Sequence, residues 1–295
     1  MKVWNIIATG LLCLLLLASC GGSFAYNRLD WLIPWYVDAY VDLTSEQRQS
    51  LREQVTPLLQ WHRREELARY QQILQRIEAE LEHPLTISQL QNWADEMLLA
   101  VARTEETMLE LALEFGATIS DAQMAEFIQS LNEKQDEYEE EFLTRTDKEY
   151  FAENTKHLKN LLKRFLGRLN AEQKQRLVQG TRSLQRFDAL WLNDRRQWLQ
   201  QLEPLLARKP GWQEEVRTAY RERKESRPAK YQQTVDYNTR VIRQVLVEVL
   251  NSRTTKQQSS TRRELKDLQN TLQKLINGPR RGAQSVDLSA FQGMP

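Results

Sequence analysis

Apolar residues recur at alternating steps of three and four along most of this chain, and that spacing commits it to helices. The cleanest run is Leu90, Ala94, Met97, Val101, Thr104, Met108, Leu111 and Phe115. Such a run draws one stripe down a helix of 3.6 residues per turn. A stripe of this kind packs at small crossing angles against neighbouring helices. Glycine and proline, which break helices, number only 10 and 8 among 295 residues. The expected fold class is all-α, an elongated antiparallel multi-helix bundle.

The pattern predicts seven main helices, over about 44–82, 87–116, 120–166, 170–207, 211–226, 229–251 and 256–277. Pro57 should kink or split the first, because proline lacks the backbone N–H that the helix ladder uses. A break is expected in the third near 144–148. Stop signals punctuate the rest: His83-Pro84, Lys209-Pro210-Gly211, Arg227-Pro228 and Asn277-Gly278-Pro279. Residues 43–278 form the expected helical domain. Residues 279–295 hold isolated apolar groups without period and are expected to be a flexible tail.

One start signal recurs. Leu43-Thr44-Ser45-Glu46-Gln47 is followed in kind by Leu85-Thr86-Ile87-Ser88-Gln89, Ile119-Ser120-Asp121-Ala122-Gln123 and Leu169-Asn170-Ala171-Glu172-Gln173. Two readings fit. In the first, each is a capping box: the Thr, Ser or Asn accepts from a free backbone N–H, and the Gln reaches back to the cap. In the second, the chain is two related halves, since residues 43–51 and 169–177 agree at Leu, Glu, Gln, Gln and Leu. The Leu-Thr-x-x-Gln pattern also resembles the Spy/CpxP periplasmic proteins, which are small, all-helical and cradle-shaped. That resemblance implies chaperone-like binding of other proteins.

The first residues have another logic. Lys2 precedes an apolar run over 6–17, and small residues lead to Cys20. A charged start, a short apolar run and small residues at a cut site mark a secretory signal, here 1–19. The run is shorter than the ~20 residues a bilayer span needs. Leu17-Ala18-Ser19-Cys20 resembles the bacterial lipobox, which implies that Cys20 becomes the mature amino terminus and carries diacylglycerol and a further acyl chain such as palmitate. A thiolate is nucleophilic enough to take the lipid, and several acyl chains hold a protein stably on a membrane. Gly21 resembles the sorting class sent to the outer membrane, facing the periplasm.

Cleavage after Ser19 takes Lys2 from the 41 basic residues, so 40 remain against 40 acidic ones. That balance argues against a nucleic-acid partner. Cys13 and Cys20 are the only cysteines. The mature body therefore has no disulfide and no thiolate metal site.

Residues 20–42 join the anchor to the body. Ten residues separate Cys20 from Trp31, a reach of about 33–40 Å when extended. Tyr26, Trp31, Trp35, Tyr36 and Tyr40 cluster here, interleaved with Leu29, Leu32, Ile33 and Val37. Trp and Tyr favour the headgroup zone of a membrane; the interleaved aliphatic residues favour a plug packed into the body, the reading preferred on the sequence. Arg28 and Asp30 would pair with the body or orient that plug. This aromatic segment, behind a lipobox, resembles an uncharacterised family of proteobacterial lipoproteins, which implies the same helical architecture and no assigned activity.

Candidate chemistry is sparse. Glu80 and His83 have the Glu-x-x-His spacing of helical di-iron sites, but those need two such motifs and two more carboxylates. Pro84 also pushes His83 out of helical geometry. Glu153 and His157, four apart, suit a surface pair. No phosphate loop, dinucleotide fingerprint or Gly-x-Ser-x-Gly elbow occurs. Two charge blocks remain: an acidic one over 133–141 and a basic one over 217–230, with Arg221, Arg223, Lys224, Arg227 and Lys230. Both suit solvated helix faces; the basic one is also a candidate docking patch, with Arg28, Asp30, Trp31 and Trp35 as a second binding surface. The function expected is a lipid-anchored, non-enzymatic envelope protein without cofactor or metal, binding other proteins on a helical surface. The alternative is a structural adaptor of one envelope complex.

Overall fold

The computed structural model describes residues 22–278, and every regular element among them is helical. The expected signal segment, the lipidation site Cys20 and the tail 279–295 lie outside the described residues. In chain order the helices are α1 (Gly22–Tyr26), α2 (Leu29–Asp38), α3 (Ser45–Trp61), α4 (Leu67–Glu80), α5 (Ile87–Gly116), α6 (Asp121–Leu143), α7 (Asp147–Leu166), α8 (Ala171–Arg182), α9 (Asp188–Leu205), α10 (Trp212–Glu222), α11 (Ala229–Asn251) and α12 (Thr255–Asn277). A π-helical turn, His62–Glu66, joins α3 to α4.

All four repeated starts are capping boxes. Thr44, Thr86, Ser120 and Asn170 each accept from the backbone N–H three residues on, and Gln47, Gln89, Gln123 and Gln173 return the bond. The apolar residues before them, Leu43, Leu85, Ile119 and Leu169, are buried. Thr146 with Glu149 and Thr254 with Gln257 form two further boxes that the pattern did not single out. The first has Glu for Gln; the second has Arg253 where the pattern asks for an apolar residue.

Three expectations change. The helix expected over 170–207 is broken at 183–187, because tertiary bonds there outcompete the helix ladder. The Asn238 amide bonds both the N–H and the carbonyl of Gln185, at 2.8 Å each, and Phe187 is buried. Pro57 neither splits nor ends α3; the irregularity comes five residues later, in the π-turn. On α5, Met97 and Phe115 of the expected stripe are buried, and Leu90 and Leu111 pack against cores, but Trp93, Ala100, Thr107 and Leu113 complete the buried face and Met108 is exposed.

Four apolar cores form a circuit. Tyr26, α4, the first half of α5 and α12 make one. The middle of α3, the ends of α5 and α9, α10 and the start of α6 make the second. Phe142, Phe187, Trp191 and Tyr231 make the third. Helices α7, α8 and α11 make the fourth, which meets the first at Leu90 and Leu250. Helix α5, about 45 Å long at 1.5 Å per residue, runs from the first core to the second. Cores strung along helices in this way are compatible with an elongated bundle.

The packing repeats itself. Helix α2 packs on α3 and α3 on α5; α7 packs on α8 and α8 on α11. The cap glutamines of α3 and α6 exchange amide bonds, Gln47 with Gln123, at 3.0 and 2.7 Å. Those of α8 and α12, Gln173 with Gln257, do the same at 2.9 Å. Gln123 also donates to the Asp42 carbonyl at 2.8 Å, and Gln257 to the Arg168 carbonyl at 3.1 Å. Asp42 and Arg168 stand 126 positions apart, as do Gln47 and Gln173. The third helix of each half crosses over: α4 packs on α12, and α9 packs on α6. Two halves, 29–143 and 147–277, thus share one pattern, and each sends its third helix to the other, with α5 packed on α11 between them.

Candidate functional site

Helices α1 and α2 form a short amino-terminal arm, held to the body by its inner face. Leu29 packs against the first core, and Ile33 and Val37 against the second. Asp38 closes the arm onto α3: its Oδ1 accepts from the Leu43 N–H at 3.1 Å and from Arg48 at 2.7 Å. Tyr26 is buried, and its hydroxyl shares a 3.0 Å bond with His62 Nδ1. So the expected plug is real for Tyr26, Leu29, Ile33 and Val37.

Tyr40 is half-buried against Phe127 of α6, but the plug does not hold for Trp31, Trp35 and Tyr36. Trp31 is 50% exposed, Trp35 60%, Tyr36 59% and Phe24 66%. Trp31 and Trp35, one turn apart, lie nearly parallel, 8° between planes and 6.4 Å between centroids. The Arg28 guanidinium sits 5.2 Å from the Phe24 ring and so belongs to this outer face. Asp30 lies in the first turn of α2, where a carboxylate meets the positive end of the helix dipole. Tyr36 and Tyr40 share a hydroxyl–hydroxyl bond of 3.0 Å.

Beneath the arm sits the π-turn, which the sequence did not announce. A π-turn widens the helix by one residue and often marks a functional position. Its residues reach three elements. His62 meets Tyr26 of α1, and the Tyr70 ring lies edge-on to it at 5.8 Å. Arg63 donates to Asn27 at 2.8 Å and to the Leu275 carbonyl of α12 at 2.9 Å. Glu66, fully buried, takes two bonds of 2.8 Å from Arg103 of α5 and another from Arg69. Burial alone would raise the Glu66 carboxyl, but the guanidiniums of Arg103 and Arg69 outweigh it and hold it below the usual range. Burial pulls His62 down to about 4, against the pull of Glu66. Burial also raises the Tyr26 hydroxyl. Neutral His62 and charged Glu66 therefore lie one turn apart. The only sequence signal for this hub was a compact charged run, His62-Arg63-Arg64-Glu65-Glu66.

The basic block is divided, a partial correction to its reading as an open patch: Arg223 and Arg227 turn inward, while Arg221, Lys224 and Lys230 stay exposed. Arg217 clamps Glu110 at 2.8–3.1 Å, and Arg221 reaches Glu106 at 3.3 Å. Arg223 lies over the Trp198 ring at 4.7 Å and 3.4 Å from Asp194, which Arg227 also reaches. Of the candidate docking residues Arg221, Arg223 and Lys224, the first and last keep an open surface. These bonds seat α10 between α5 and α9, and the structure does not bring the block together with the aromatic arm. The acidic block is partly used in the same way, with Asp136 and Glu139 paired to Arg196.

Glu80 accepts from the Trp93 indole at 2.8 Å, and His83 is exposed beyond the helix end. The Glu153–His157 contact is a surface pair at 3.4 Å. Among the described residues no group of three potential ligands is placed to hold a metal ion, and no helix is long and apolar enough to cross a membrane. Compared with known proteins, residues 39–232 match a family described as a family of unknown function (DUF6279). No curated protein and no solved structure matches the chain.

Proposed function

The chain belongs to that family of unknown function, and from this premise we propose that it is a bacterial envelope lipoprotein, tethered through Cys20, whose helical body binds other proteins. It acts by holding a partner, not by catalysis. The tether follows from Leu17-Ala18-Ser19-Cys20 behind an apolar run, and Gly21 favours the outer membrane. The observation that carries the binding role is the surface. Much of the charge is paired across helices, as in Arg217–Glu110 and Arg196–Glu139, while Ile87, Leu99, Met108 and Leu143 stay 45–61% exposed. Single exposed apolar residues are ordinary; spread over well-braced helices, they are the separate footholds the proposed binding of unfolded or assembling chains would use.

The test has two arms. Wild-type protein should take up fatty-acid label and sediment with membranes, and Cys20→Ala should do neither. Unlipidated protein should slow the aggregation of a denatured client at stoichiometric ratio; no protection over a broad concentration range would overturn the chaperone-like role. A structural adaptor is the second reading, favoured by the reciprocal bracing of the two halves, which suits one fixed partner. Crosslinking in cells would then recover one dominant protein instead of many.

A further inference from the structure

Helix α2 is apolar on two opposite faces. Leu29, Ile33 and Val37 face the body, while Trp31 and Trp35 stand open on the other side with Phe24 and Tyr36. A helix that is apolar all round is normally enclosed, by protein or by lipid. Here protein encloses one face only. Neighbouring side chains among the described residues leave the outer rings open: the indoles stack on one another, and Phe24, beside the Arg28 guanidinium, stays 66% exposed.

We infer that the outer face of α1–α2 is a membrane-contact surface that seats in the headgroup layer of a phospholipid bilayer. Three observations converge on that occupant. The chemistry is that of the interface, where indole and phenol rings combine an apolar body with a polar edge. Arg28 at the margin of the patch suits lipid phosphate, as a guanidinium pairs readily with phosphate oxygens. The chain length fits as well: Phe24 follows Cys20 by four residues, so the two Cα atoms lie within about 14 Å of each other even if the link is fully extended. The geometry rests on the lipid-anchor reading for its strength, since a tether raises the effective concentration of the patch at the bilayer. The anchored body would then be fixed in orientation, with the arm against the membrane.

The experiment uses the full lipidated protein in phosphatidylethanolamine–phosphatidylglycerol vesicles containing lipids brominated along their acyl chains. Tryptophan fluorescence is compared between wild type and the Trp31→Phe/Trp35→Phe variant, with membrane attachment checked by flotation. If the inference is right, shallow brominated lipids quench part of the wild-type emission, and at least half of that quenching disappears in the variant. Equal quenching in the two proteins, with both floating, would overturn it while leaving the tether intact. Failure of wild type to float would instead sink the anchor reading. A photo-crosslinker at Trp35 completes the test: lipid adducts support the inference, and adducts to a second copy, to the segment 279–295 or to another protein overturn it.

Discussion

Glu66 shows what a single residue carries here. Its carboxylate is shut off from water and takes three charge-assisted bonds from Arg103 and Arg69. Truncation leaves the guanidinium of Arg103 facing an emptied, half-closed site, and breaking a buried pair from one side typically costs about 3–5 kcal/mol. Glu66→Ala should lower stability by that amount in urea unfolding. His62 adds a pH dependence. Its folded pKa is depressed to about 4 by burial, so the unfolded chain takes the proton first. Its contribution is full above the unfolded value of about 6.5 and is lost as pH falls toward 4. Glu66, also depressed, adds its own loss below the ordinary carboxylate range. Urea midpoints should therefore drop between pH 7 and pH 5 in wild type, and His62→Asn should flatten that part of the curve. None of this was legible beforehand. The sequence displays residue types, but a pair such as Glu66–Arg103 or Arg223–Asp194 exists only once helices far apart in the chain are brought together.

Elements were far more legible. Helices α5 and α11 lie where the periodicity put them, and four of the six capping boxes were readable from residue order alone, because a cap is local chemistry. The break at 183–187 was not, because Asn238, 53 residues from Gln185, supplies its bonds. The two glutamine pairs should also differ in strength. Gln173 and Gln257 are buried, whereas Gln47 and Gln123 are partly open to water. Leaving a buried amide unsatisfied costs about 1–3 kcal/mol. Gln173→Ala should therefore cost about 2 kcal/mol or more in thermal or urea unfolding, and Gln47→Ala no more than about 1 kcal/mol. Helices α8 and α11 approach closely at Gly180, where an added Cβ would lie 2.1 Å from a Val245 methyl. Gly180→Ala gains up to about 1 kcal/mol of helix propensity but overpacks the fourth core at a cost of about 1–3 kcal/mol. Differential scanning calorimetry should show a net loss, against the rule that Gly→Ala stabilises a helix interior.

For the whole molecule, the all-helical class followed from the apolar period, and a hint of two halves came from residues 43–51 and 169–177. The crossover of α4 onto α12 and of α9 onto α6 left no mark in the sequence, because either arrangement satisfies the same stripes. It makes the halves interdependent. A chain cut within the loop at 144–146 should give two fragments that are largely unfolded alone and regain full helical circular dichroism when mixed; a fragment cooperative by itself would contradict the exchange. One further consequence follows from Arg63, which joins α1 to α12 through Asn27 and the Leu275 carbonyl. The first and last described helices share a core, so a pull applied at the amino-terminal end is borne by the carboxy-terminal helix before it reaches the middle of the chain. Under such a pull the body would part first along its seam between beginning and end, with the third core, which contains neither terminal helix, the last part to feel the load.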